Sequence, residues 1–125
     1  MALSSKESLD LVAQTIFDKK GFNILALDVR GVTSLTDYIL IAEGSVDRHV
    51  VAIAKEIIAV LKEKGEKPLS SEGLQTGDWI VLDYLNFMIH LFMPGIRDKY
   101  CLEELFREGE VVELNIDIKT GSSQL

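Results

Sequence analysis

The sequence predicts an α+β fold in which one mixed β-sheet is flanked by helices. Three observations carry this. Helical and strand patterns alternate along the chain as helix, two strands, helix, two strands, helix. One strand pattern, residues 37–42, is apolar on both faces, and such a strand requires cover on both sides of its sheet. Residues 78–92 form the longest apolar run that still carries fixed polar residues, and they read as two strands joined by a tight turn. With 125 residues the chain can bury one core but is too short for two.

The first helix is expected over residues 4–20. Ser4 and Glu7 have capping-box spacing, Gly21 is the expected stop, and Leu9, Val12, Ala13, Ile16 and Phe17 make one apolar stripe. Residues 22–29 read as a strand, and after a loop comes the two-sided apolar strand. Gly44 ends it. Ser45 is the expected N-cap of a helix reaching about residue 64, with Val50, Ile53, Ala54, Ile57, Ile58 and Leu61 buried and Gly65 as its stop. The following polar stretch is broken by Pro68 and glycines, with a short extended edge over residues 68–72.

In the hairpin, a turn centred on Leu85 and Asn86 pairs Tyr84 with Phe87, Asp83 with Met88, Val81 with His90 and Trp79 with Phe92. Alternation then puts Ile80, Leu82, Tyr84, Phe87, Ile89, Leu91 and Met93 on a core face. The opposite face collects Trp79, Val81, Asp83, Met88, His90 and Phe92, an indole, a carboxylate and an imidazole among apolar neighbours. Function is expected there. For Asp83 and His90 two readings stand: a functional pair, or diagonal neighbours that satisfy one another under a helix.

The last helix is expected over residues 96–107, with Leu102, Leu105 and Phe106 on one arc and Tyr100 nearly opposite. Tyr100 therefore has something else to touch, either a partner or the sheet edge. From Glu110 the chain alternates, with Val112, Leu114, Ile116 and Ile118 against Glu113, Asn115 and Asp117. This divides the sequence into a domain, residues 1–109, and a tail, residues 110–125. The tail reads as an added edge strand or interaction segment, with disorder expected over residues 120–125.

The net charge of −7 argues against sequence-independent nucleic-acid binding, which rests on Lys and Arg neutralising phosphates, and fits a basic protein partner. One cysteine, Cys101, allows no intrachain disulfide or cysteine-rich metal site, and its helical setting reads as packing. No apolar run approaches a membrane span and the N-terminus has no secretory or transit pattern, so the cytoplasm is expected. GxxxxGK[ST], GxSxG and HExxH are absent, and His49 and His90 lack metal-like spacing to carboxylates. No cofactor and no metal are expected. Arg48 and His49 read as a solvated face. Gly44 and Ser45 are placed to cradle an anion at a helix start, which leaves a nucleotide-binding enzyme or sensor as the rival function. Cys101 or Ser45 with His90 and Asp83 can be written as a nucleophilic set, without support from spacing.

The segments LDVRGVTSLTDYILIAEG (residues 27–44), RHVVAIA (48–54), Glu72-Gly73, DWIVLD (78–83), IHLF (89–92) and RDKYCLEELF (97–106) come in an order and spacing that resembles the Iojap/RsfS family of ribosomal silencing factors, over residues 8–106. The resemblance implies a nucleotidyltransferase-like mixed sheet without catalytic acids, hence a non-enzyme. It also implies binding to the basic fourteenth large-subunit ribosomal protein at the intersubunit face, which sterically blocks subunit joining and represses translation. By resemblance the contact positions are Trp79, Asp83, Arg97 and Tyr100, with Glu72 and Lys99 beside them. Such a set has the composition of an interface centre and rim. Two departures stand out: Leu85-Asn86 replaces the family's usual Gly-Asp in the hairpin turn, and Phe106 replaces a usual Trp. A third reading is a homodimer in which the alternating tail pairs across a two-fold axis.

Overall fold

The computed structural model describes residues 3–117. In chain order the elements are α1 (Ser5–Asp18), β1 (Phe22–Asp28), β2 (Tyr38–Glu43), α2 (Asp47–Glu63), β3 (Ser70–Glu72), β4 (Trp79–Asp83), β5 (Phe87–Phe92), α3 (Pro94–Tyr100), α4 (Leu102–Leu105) and β6 (Glu110–Val111). The strands form one mixed sheet in the order β3-β4-β5-β2-β1-β6. Among the described strands only β2 and β5 pair in parallel, across a connection that contains α2. The α+β class expected from the sequence is the class observed.

One face of the sheet buries Ala26, Leu40, Ala42, Ile80, Leu82, Phe87, Ile89 and Leu91 against the stripes of α1 and α2. The other buries Leu27, Ile39, Ile41 and Phe92 under Ile96, Leu102 and Phe106. Thus β2 is covered on both sides, as its sequence requires. The β4–β5 register is the expected one throughout, from Trp79 opposite Phe92 to Asp83 opposite Met88.

Helix boundaries hold the corrections. Ser4 caps α1 with the full capping box, its hydroxyl accepting from the Glu7 N–H and its own N–H donating to Glu7 Oε1 at 2.8 Å. At the other end it is Lys20 that takes the left-handed conformation, φ 70°, while Gly21 follows one residue later. A glycine is needed there for room: a Cβ would collide with the Ile16 side chain. The N-cap of α2 is Val46, not Ser45, and no side chain caps it. At its end the Gly65 N–H reaches the Lys62 carbonyl and the Glu66 N–H the Leu61 carbonyl, the expected stop.

The helix expected over residues 96–107 is two. Cys101 adopts a left-handed conformation, φ 47° and ψ 52°, which ends α3 and restarts the chain as α4 in a new direction. Cys101 is consequently exposed, not packed, and its thiol donates to the Asp98 carbonyl. The break also overturns the expected arc: Phe106 is buried but Leu105 is 72% exposed.

The tail starts as an edge strand. Leu27 pairs with Val111 and Asp28 with Glu110. Beyond it Val112, Leu114 and Ile116 pack on the core, while Asp10 accepts from Asn115 and Gln14 Oε1 from the Asp117 N–H. These tail contacts lie within the chain; Ile118 and residues 120–125 fall outside the described residues.

Candidate functional site

Strand pairing decides which side chains leave the sheet together. Trp79 on β4 pairs with Phe92 on β5, and Phe92 pairs with Glu43 on β2, so these three form one row on the face beneath α3. In the next row Val81 pairs with His90 on one side and with Glu72 on the other. Glu72 is therefore an exposed acid on the same face as Trp79, carried by the sheet's edge strand.

Trp79 is half-buried and touches aromatic groups on three sides. Its ring centroid lies 5.0 Å from Phe92, 4.8 Å from Tyr100 and 6.1 Å from His90. The spacings are those of favourable aromatic pairs. Its indole N–H donates to His90 Nδ1 at 3.1 Å, so the imidazole proton sits on Nε2. Burial pushes the His90 pKa down to about 4. Beside Trp79 the Thr76 hydroxyl donates to Asp78 Oδ1 at 2.8 Å and holds that carboxyl below its ordinary range.

Tyr100 ends α3 with its side chain in the open, 52% exposed, over Trp79. The Lys99 ammonium lies 5.7 Å from the Tyr100 ring centre. Of the six residues singled out from the sequence, Trp79, Tyr100 and Lys99 are thus brought together. Glu72 and Asp83 share the face of Trp79, Glu72 on the next row and Asp83 on the row after it. Arg97 is different: it is 9% exposed, and its guanidinium turns inward to Glu43 Oε2 at 2.9 Å and Glu103 Oε2 at 3.0 Å. It supports the surface from beneath.

Asp83 and His90 do not satisfy one another. Asp83 Oδ1 accepts from the Leu85 N–H at 2.8 Å, tying the carboxylate to the hairpin turn, while the imidazole takes the indole. The nucleophilic set is likewise dispersed. Ser45 faces His49, whose Nδ1 accepts from the Ser45 N–H at 2.9 Å and whose Nε2 meets the Lys19 carbonyl at 2.7 Å. His49 is therefore a brace between the start of α2 and the end of α1, not part of a solvated face. The anion cradle at Gly44 and Ser45 fails for the same reason, because the Gly44 N–H is taken by the Phe92 carbonyl and that of Ser45 by His49. Among the described residues no cluster of three His, Cys, Asp or Glu side chains is arranged to hold a metal. Nor is any described helix long and apolar enough to cross a membrane.

Glu43 lies inside the segment of residues 27–44 but carries no motif role of its own there. Its only sequence signal is an acid ending a strand that is otherwise apolar on both faces.

Comparison with known proteins gives a consistent result. A family model described as ribosomal silencing factor during starvation matches residues 2–124, which takes in the tail that the motif resemblance left out. The chain is 32% identical over 112 residues to the ribosomal silencing factor RsfS of Halalkalibacterium halodurans, covering 90% of this chain and 96% of that one. To the Mus musculus protein named mitochondrial assembly of ribosomal large subunit protein 1 it is 26% identical over 107 residues, covering 83% of this chain and 47% of that one. A crystal structure of a Chromobacterium violaceum protein superposes with a TM-score of 0.81 at 30% identity, over 92% of this chain and 95% of that chain.

Proposed function

This chain belongs to the ribosomal silencing factor family, and from that premise we propose that it docks on the large ribosomal subunit through Trp79 and Tyr100, keeps the small subunit from joining and so represses translation. The partner is the basic fourteenth protein of the large subunit at the intersubunit face, and the site of action is the cytoplasm. The observation that carries the reading is Tyr100. An aromatic ring half in solvent and packed at a tilt on a half-buried indole is a large, rigid and amphipathic contact, the kind that anchors interfaces. Glu72 and Asp78 supply negative charge near it and Asp83 adds more farther along the same sheet face, which suits a basic partner and steers encounter.

On this reading the protein works by occupying space, without catalysis. Its likeness to a mouse protein named for large-subunit assembly favours that subunit as the target. Co-sedimentation with purified large subunits tests the docking, and adding small subunits tests the block. Tyr100→Ala should reduce both together. A Tyr100→Ala protein that binds large subunits and prevents joining as well as the parent sinks the proposal. Heat evolved with nucleotide and divalent metal, in the absence of ribosomes, would favour the rival nucleotide sensor.

A further inference from the structure

We infer that Glu43 is a positioning residue for the Trp79–Tyr100 docking surface, acting through Arg97; the inference rests on the docking reading above. The row Trp79, Phe92, Glu43 crosses three adjacent strands, and α3 lies over it. At one end of the row Tyr100 packs at a tilt against Trp79, ring centres 4.8 Å apart. At the other, Arg97 Nη1 donates to Glu43 Oε2 at 2.9 Å and to the Asn23 carbonyl, and Arg97 Nε donates to Glu103 Oε2 at 3.0 Å.

Asn23 completes the clamp. It sits in the irregular part of β1 at φ 54°, and its side-chain amide donates to the same Glu43 oxygen at 3.1 Å. Glu43 is 6% exposed and Arg97 9%, so the pair is desolvated. A buried ion pair of this kind adds little net stability over apolar replacements, since desolvation offsets the attraction. What it fixes is geometry.

That geometry needs fixing. α3 has seven residues, no side-chain N-cap and a left-handed residue at its end, and a helix so short is not self-supporting. Arg97 and Tyr100 are three residues apart and therefore neighbours on its surface. Holding Arg97 against the β1–β2 corner sets where the Tyr100 ring falls on Trp79. Glu43 thus touches no partner, yet it decides whether the two rings meet.

The ring contact can be read on the free protein. The Trp79 ring current displaces the Tyr100 ring-proton resonances, which a Tyr100→Phe variant identifies. In Glu43→Ala the displacement should fall by about half or more while the β4 and β5 amide resonances stay in place, and large-subunit affinity should drop about tenfold. Glu43→Gln keeps an acceptor for Arg97 and Asn23 and should restore most of both. Should Glu43→Ala fail to fold, Arg97→Lys serves: it leaves a cation facing Glu43 but cannot span Glu43, Glu103 and the Asn23 carbonyl together, so the displacement should again shrink. Folded variants with parental Tyr100 resonances overturn the inference. A Tyr100→Ala protein with parental subunit binding overturns the docking reading instead, and the resonances of the Glu43 variants still report on the clamp.

Discussion

The Trp79 indole donates its N–H to His90 Nδ1 at 3.1 Å, so the ring under Tyr100 is held from below by an imidazole that must be neutral. Burial brings the His90 pKa to about 4, against about 6.5 in an unfolded chain. Between those values the unfolded chain binds the extra proton and the folded one does not. The contribution is therefore fully present above about pH 6.5 and is lost as pH falls towards about 4, amounting to roughly 3 kcal/mol. Urea midpoints measured across that window should fall, and His90→Phe should flatten the fall to what the remaining titratable groups produce. Because Trp79 is the only tryptophan, its emission reports the same transition. A parent and a His90→Phe variant with parallel pH profiles would contradict this assignment.

Leu85 sits in the hairpin turn at φ 74°, with its side chain 61% exposed and the Asn86 N–H turned back to the Tyr84 carbonyl at 2.9 Å. A left-handed conformation costs an ordinary residue about 1–2 kcal/mol, and the exposed leucyl group gains little in return. Leu85→Gly should therefore stabilise the protein by about 1 kcal/mol after the greater freedom of glycine in the unfolded chain is subtracted. A thermal midpoint about 4 °C higher is the expected reading. A lower midpoint would mean that Leu85 packs in solution.

These two cases also show what was legible beforehand. Alternation revealed that Trp79 and His90 share a face, since side-chain direction in a strand has period two. It did not reveal their hydrogen bond, because period says nothing of rotamers, and Asp83 was an equally good partner on paper. The break at Cys101 left no trace, for neither glycine nor proline marks it. The family resemblance names Arg97 as a contact position without showing what its side chain leans on, and its grip on Glu43 requires the β1–β2 corner to be assembled first. The core was readable because β2 has apolar residues on both faces and α1 and α2 each carry one stripe.

Gly73, beside Glu72, combines φ 86° with a close approach to the Trp79 backbone, where a Cβ would overlap the Trp79 carbonyl oxygen. A backbone atom in a strand cannot give way as a flexible side chain does. Gly73→Ala should cost about 3 kcal/mol or more and displace the start of β4. Chemical denaturation measures the loss, and a shift in Trp79 emission in the folded state would show that the docking surface moves with it. Parental stability would mean that this close approach does not persist in solution.

Tyr100 and Trp79 should separate binding from stability. Tyr100 is 52% exposed and packs at a tilt on Trp79 from the solvent side, so Tyr100→Ala should cost under about 1 kcal/mol of folding free energy. Its loss of large-subunit affinity should nevertheless reach about 2 kcal/mol or more if the ring is an anchor. Trp79 faces inward as well, stacked on Phe92 at 5.0 Å and bonded to His90, so Trp79→Ala should lose about 3 kcal/mol of stability in addition. Binding by the Trp79 variant must accordingly be compared at equal folded fraction, fixed by denaturation under the same conditions. If Tyr100→Ala proves as unstable as Trp79→Ala, its ring belongs to the core of the domain and is not a docking surface.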